Sequence, residues 1–196
     1  MNKNNSVKNN FIYQVLFIGV TMVIPLVVTP FLTRALLEYK IGEFTYSRSI
    51  TSYFVSFSMV GIVKYGQRLV SQNRDDELKL RKSFWSLYYI HALFSILGLV
   101  SYILAVLFIV ENKNLYWIQS IYVASALFDI TWLYYGLEEF RGVVIRNAVI
   151  KIIESALYIL LIKSPEDIYL YALINCSAFL LSQMVLMPGA IKEIRP

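Results

Sequence analysis

One cysteine (Cys176) and one histidine (His91) are all that 196 residues offer of the soft metal-binding side chains. That scarcity excludes a disulfide framework, a zinc cluster and the His-Glu-x-x-His helix of metalloproteases, and nothing in the sequence calls for a metal or a cofactor. Charge is scarce too: Asp, Glu, Lys and Arg make up 16% of the chain, against about 25% in ordinary soluble domains. With eight glycines and five prolines, the chain has no Gly/Ser-rich or Pro-rich linker that would divide it. Walker A and Gly-x-Ser-x-Gly motifs are both missing, which argues against an ATP-driven pump or a hydrolase within this chain. Its many serines have no paired base to activate them.

What fills the chain instead is apolar. Hydrophobic residues reach 58%, and they gather in uncharged runs on the scale of the roughly 20 residues a helix needs to cross a bilayer. Three runs are free of Asp, Glu, Lys and Arg throughout: residues 9–33, 83–110 and 168–191. Two more carry one charge each, Arg48 within 44–63 and Asp129 within 114–137. A sixth, 147–162, is short and holds both Lys151 and Glu154. Period-2 alternation of the barrel type is absent, so the expectation is an all-α integral membrane protein with six transmembrane helices, at about 11–33, 44–63, 83–110, 114–137, 147–162 and 168–191.

The distribution of Lys and Arg sets an orientation. With both termini in the cytoplasm, 13 of the 18 basic residues lie inside, six of them between Lys64 and Lys82. Arg34, Lys40, Arg48, Lys113 and Lys163 lie outside or on its approaches. That bias favours six spans with cytoplasmic ends, since removing the weak fifth span would put Lys192 and Arg195 outside. The net charge of +5 then belongs to loops facing anionic lipid, not to a nucleic-acid surface. Residues 1–10 are polar and the first apolar run is long enough to stay as an anchor, so no cleavable signal is expected.

Lipid cannot satisfy polar side chains, so their angular positions indicate inward faces. Stripes at helical spacing comprise Gln14, Thr21, Pro25 and Thr29; Thr45, Arg48, Ser49, Ser52 and Ser56; His91, Ser95, Gly98 and Tyr102; Tyr122, Ser125, Asp129 and Trp132; and Tyr171, Asn175 and Ser182. Each can be a packing face; together they suggest a shared hydrated cavity. A charge at mid-span costs at least about 2.5–3.5 kcal/mol. Arg48 and Asp129 must therefore pair with each other, reach an interface, or serve as an anion contact and a cation or proton site. His91 reads either as a packing residue or as a proton-coupling one. The Glu154 and Lys151 spacing reads as helix-end electrostatics, and Lys64 to Lys82 as a solvated topogenic loop. Pro25 and Pro30 should kink the first helix or loosen its outer end, either as gating elements or as tolerated membrane prolines.

Residues 26–50, LVVTPFLTRALLEYKIGEFTYSRSI, and the segment through His91 resemble the amino-terminal part of bacterial polysaccharide-unit flippases. These are the Wzx-type members of the multidrug/oligosaccharidyl-lipid/polysaccharide exporter (MOP) superfamily. A second block, FDITWLYYGLEEFRGVVIRNAVIKI, from Phe128 to Ile152, is similar to their fourth-to-fifth helix connection. The marks are Thr29-Pro30 with Thr33-Arg34, Tyr65-Gly66 with Arg68, and Trp132 with Gly136-Leu137-Glu138 through Arg146-Asn147.

The resemblance implies a bacterial cytoplasmic membrane location and export of an undecaprenyl-diphosphate-linked oligosaccharide, with membrane lipid as the other partner. It gives Arg34 and Arg48 a place in a cationic cavity, and Arg68 and Arg146 a place at the cytoplasmic entry for the pyrophosphate. Relatives of this type carry two six-helix lobes, so the chain corresponds to one lobe. Its expected partners are a second lobe or polysaccharide polymerase machinery. A non-transporting scaffold of such an assembly, or a small membrane enzyme acting on lipid-linked phosphate, remains open at this point.

Overall fold

A computed structural model describes the backbone of residues 3–108 and 113–194; within the helices, the side chains of residues 3–18, 20–22, 140, 192 and 193 lie outside the description. Gln14 and Thr21 of the first polar stripe, and Lys3, Lys8, Lys192 and Arg195 of the charge count, therefore lie outside the described side chains, as does the connection 109–112. The described elements are all helical: α1 (Lys3–Ser58), α2 (Ile62–Asn73), α3 (Glu77–Phe108), α4 (Asn114–Ser125), α5 (Thr131–Gly136), α6 (Phe140–Leu161), α7 (Ile168–Met184) and α8 (Met187–Glu193). Single 3-10 turns at Ala126–Phe128 and Pro165–Asp167 join α4 to α5 and α6 to α7.

α1 is two arms. Leu37 sits at φ 64°, ψ 151°, a region that only glycine occupies without strain, and this one residue breaks the helix. The helix continues through Pro25 and Pro30, and both rings are exposed. Leu36 before the break and Phe44 after it belong to one buried cluster with Ile162 and Ile168 at the α6–α7 connection. From there Leu32 and Val28 run back along α6, while Phe44 meets Tyr171 at 4.8 Å on α7. The chain therefore reverses direction at Leu37.

Two helical stretches among the described residues are long and apolar enough to cross a membrane, Glu77–Phe108 and Pro165–Ile191. Their most apolar windows are only 28% and 22% buried within the bundle. Core helices of a soluble domain would hide such surface, whereas here Leu93, Ile96, Leu97, Val100 and Leu104 face outward on α3 alone.

Several expected spans end differently. The second stops at Ser58, and a turn with Gly61 at φ 72° starts α2. The stretch read as a topogenic loop is thus largely helix. α2 buries Ile62, Gly66 and Val70 on one side, four residues apart, and keeps its charges on the other, the pattern of a helix lying on a surface. The fourth span is interrupted between Ala126 and Ile130. The fifth begins at Phe140, so the connection before it shrinks to three residues, in which Glu138 takes φ 64° and pairs with Arg74 at 2.9 Å. The sixth splits into α7 and α8.

α2, α3, α5 and α8 form a cluster around Phe84, Trp132, Leu133 and Ala190. Two glycines permit it. A Cβ on Gly66 would come within 2.7 Å of the Trp132 ring, and one on Gly136 within 2.6 Å of the Val70 Cβ. Tyr134 then donates its hydroxyl to the Leu186 carbonyl at 2.8 Å, tying α5 to the start of α8.

Candidate functional site: a charged seam between two helices

The polar groups converge between α6 and α7. Asn147, Lys151, Glu154 and Tyr158 follow one another at spacings of four, three and four residues, so one face of α6 carries them all. Facing them on α7 is Asn175, followed a turn or two later by Phe179, Ser182 and Gln183. Glu154 is 5% exposed, a position an unpaired carboxylate could not hold. Three donors compensate: Lys151 Nζ at 2.9 Å, the Tyr158 hydroxyl at 2.6 Å and Asn175 Nδ2 at 2.9 Å. Asn175 also donates to the Tyr158 oxygen at 3.2 Å, which closes the network.

Beside this network lies a cavity of about 300 Å³ lined by Asp129, Thr131, Arg146, Lys151, Glu154, Phe179 and Gln183, among others. Asp129 stands at the break between α4 and α5, where its carboxylate accepts the Thr131 backbone N–H at 3.0 Å and the Thr131 hydroxyl at 2.5 Å. It therefore closes a local turn at the start of a helix, which is why a carboxylate in the middle of an apolar run carries little penalty there. Arg146 is 8% exposed. Its Nε and Nη2 donate to Asn147 Oδ1 at 3.1 and 2.6 Å, while Nη1 has no protein partner. Gln183 Oε1 is likewise without one.

Arg48 does not pair with Asp129. Its guanidinium carbon lies 3.2 Å from the Tyr122 ring centroid and 4.8 Å from that of Phe179. Nη1 reaches Cys176 Sγ at 3.6 Å. Two aromatic faces supply compensation of a kind that a carboxylate partner would otherwise give. Arg34 and Arg68 are exposed, on α1 and α2. Of the four expected arginines, then, only Arg146 lines the cavity, together with Asp129.

Three of the polar stripes face as expected. His91, Ser95, Gly98 and Tyr102 are all buried on α3, Ser125 and Trp132 are buried, and Asn175 and Ser182 are partly so. His91 is fully buried, edge-on to Tyr88, and does not itself line the cavity. The stripe on the second arm of α1 is shifted by two residues. Ser47, Thr51 and Ser58 are buried, whereas Thr45, Ser49 and Ser56 are exposed. Exposed hydroxyls there are tolerated because they bond their own helix: Ser49 donates to the Thr45 carbonyl and Ser52 to that of Ser49. Two of the inward hydroxyls have interhelical partners, Gln119 Nε2 donating to Ser47 Oγ at 2.6 Å and Thr51 meeting the Tyr102 hydroxyl at 3.3 Å. Gln119 and Gln183 were not singled out from sequence, Asn147 entered only as a mark of the resemblance, and Glu154 was assigned only to helix-end electrostatics. The spacing of polar residues along 147–158 was the available signal.

The family model described as "Polysaccharide biosynthesis protein" matches residues 7–191. Two curated relatives, both named "Putative O-antigen transporter", are similar over most of this chain. The one from Shigella dysenteriae is 28% identical over 82% of this chain and 41% of its own length. The one from Escherichia coli (strain K12) is 22% identical over 98% and 48%. The chain thus spans less than half the length of these curated relatives, and no solved structure matches it. With residues 7–191 matched by the family model, the chain belongs to the polysaccharide biosynthesis protein family, in which its resemblance to Wzx-type flippases had placed it.

Proposed function

We propose that this chain takes part in moving undecaprenyl-diphosphate-linked oligosaccharide repeat units across a bacterial cytoplasmic membrane, as one six-helix lobe of a two-lobed MOP-type exporter. Both termini are cytoplasmic in this reading. The observation that carries it is the inversion of a soluble fold. Apolar side chains of α3 and α7 face outward, while a hydrogen-bonded set of charged residues lies between α6 and α7. A protein that carries a polar cargo past hydrocarbon needs such a division, and family membership together with the two named relatives supplies the cargo class.

The chemistry is transport without bond making. Arg34 and Arg68, exposed on α1 and α2, are the cations free to meet a diphosphate. Arg48, covered by Tyr122 and Phe179, and Arg146, half-held by Asn147, shape the interior instead. Pro25 and Pro30 lie on the arm before the Leu37 break, where a gating motion would have to bend α1. The test is export of lipid-linked glycan in a flippase-null strain, with the chain supplied alone and together with a carboxy-terminal lobe. Restored export with the lobe present is expected. Its absence in both arms, with the protein present in the membrane, overturns the transport reading. Unchanged export after Arg34→Ala and Arg68→Ala together overturns the role given to those two cations.

A further inference from the structure

We propose that the polar cavity, with an apolar groove beside it, holds one bilayer phospholipid whose headgroup is zwitterionic. The proposal rests on the membrane-embedded reading but not on transport. A groove of about 290 Å³ adjoins the cavity and shares Ile150, Glu154 and Ala178 with it. Beyond these shared residues its lining is nearly all hydrocarbon, including Ile153, Leu157 and Leu173.

The two spaces are aligned as an amphiphile is. α6 and α7 run antiparallel: Glu154 bonds Asn175, and the Tyr158 ring lies 4.8 Å from that of Tyr171. Cavity residues occupy 146–154 on α6 and 178–183 on α7. Groove residues occupy 150–157 and 173–181. On both helices the centre of the groove is displaced toward the α6–α7 connection, by about 5 Å at 1.5 Å rise per residue. A molecule with its head in the cavity and a chain in the groove therefore lies along the helices. In the proposed topology its head points to the cytoplasmic side.

The headgroup chemistry follows from what the cavity leaves unmet. Arg146 is nine-tenths buried and its Nη1 is a donor without a protein partner; Gln183 Oε1 is an acceptor without one. A phosphate accepts from the first and an ammonium donates to the second. The charge is already balanced, Arg146 and Lys151 against Asp129 and Glu154. A zwitterion preserves that balance, whereas an anionic head or a diphosphate would set surplus negative charge beside two carboxylates. Size points the same way. The cavity has room for about ten waters at their share of liquid volume, enough for the roughly eight non-hydrogen atoms of a phosphoethanolamine head but not for a repeat unit of several sugars.

The test uses the full chain, purified in mild detergent, delipidated and titrated separately with phosphatidylethanolamine, phosphatidylglycerol and undecaprenyl diphosphate. Native mass spectrometry counts the adducts. A one-to-one phosphatidylethanolamine adduct is expected, at least about fivefold more occupied than either alternative, a difference of about 1 kcal/mol. Arg146→Met, which removes the phosphate partner, and Ala178→Trp, which fills the space both sites share, should each reduce it to the phosphatidylglycerol level. Gln183→Leu, at a half-buried position, decides the matter if either of those variants loses its helical circular dichroism, and should lower occupancy as well. Equal occupancy by all three lipids, or an adduct indifferent to the folded variants, overturns the proposal. So does a preference for undecaprenyl diphosphate, which would assign the cavity to the exported lipid. Lost export in the complementation assay leaves this result unaffected, so the two readings fail separately.

Discussion

The junction of α2 with α5 and the seam of α6 with α7 belong to one bundle but are held together by different means. At the junction, two glycines bring backbones so close that Trp132 and Val70 fill the space left by absent side chains. Shape does the work there, and the stacking of Phe84 on Trp132 at 5.4 Å adds to it. At the seam, contact is organised by a buried carboxylate and its three donors. The first arrangement can tolerate little change of volume, the second little change of charge. The difference teaches that one bundle can hold its helices by shape in one place and by polar chemistry in another.

Variants can break this contrast. The largest effect should come from Trp132→Ala, which empties a fully buried site and should cost about 3–5 kcal/mol. Fluorescence-detected size exclusion after a heat challenge would report it as loss of the monodisperse peak. Glu154→Leu should follow at about 3 kcal/mol, because it strips Lys151, Tyr158 and Asn175 of their shared acceptor. If the seam is an issue of charge and not of volume, Lys151→Met combined with Glu154→Leu should recover most of that loss, whereas a double variant as poor as the single one would refute the distinction. Gly136→Ala should cost about 1–3 kcal/mol by overpacking against the Val70 Cβ and the Gln67 carbonyl, read in the same heat-challenge assay. Arg48→Met should cost about 1 kcal/mol through the lost ring contacts, with no dependence on Asp129 in a double-mutant cycle.

The smallest effect concerns the connection between α6 and α7 and depends on pH. The backbone N–H groups of Lys163 and then Ser164 hold the Asp167 carboxyl below its usual range. A lowered folded-state pKa contributes stability that is complete above the unfolded value of about 3.9 and fades as pH falls through the folded one. Asp167→Ala should therefore lower the thermal midpoint at pH 7, and the gap from the parent protein should narrow by pH 3. A gap that stays constant over this range would show that the carboxylate's charge is irrelevant to the turn.

Much of the fold was legible from the sequence because lipid imposes a simple rule on helix-forming runs. The uncharged runs 83–110 and 168–191 map onto the two helical stretches long enough to cross, and the stripe from His91 to Tyr102 is buried along its whole length. Interruptions were harder to read. Only Asp129 within residues 126–130 and Gly61 within 59–61 hint at a break, since both segments otherwise lie within apolar runs. The seam was half visible. Arg146, Asp129, Asn175 and Ser182 were each singled out, but the span that carries the core of the network was kept only on the charge bias of its flanks, because its own run is short and polar. Its polarity is the reason it lies where other helices can satisfy it. For Arg48 the readings left open were a carboxylate partner, an interface or an anion contact, because sequence shows charges more readily than the ring faces that cover it.

The conformation of Leu37 has a consequence for sidedness. Extended as a single rod, the 56 residues of α1 would measure about 84 Å, more than twice the thickness of a bilayer's hydrocarbon core. Reversal at one residue divides that rod into arms of about 51 and 31 Å, each long enough to cross that core once. In the proposed topology, straightening this single residue would remove one crossing and invert the side on which every later loop emerges. A backbone angle at one position thus acts as a parity bit for the whole chain.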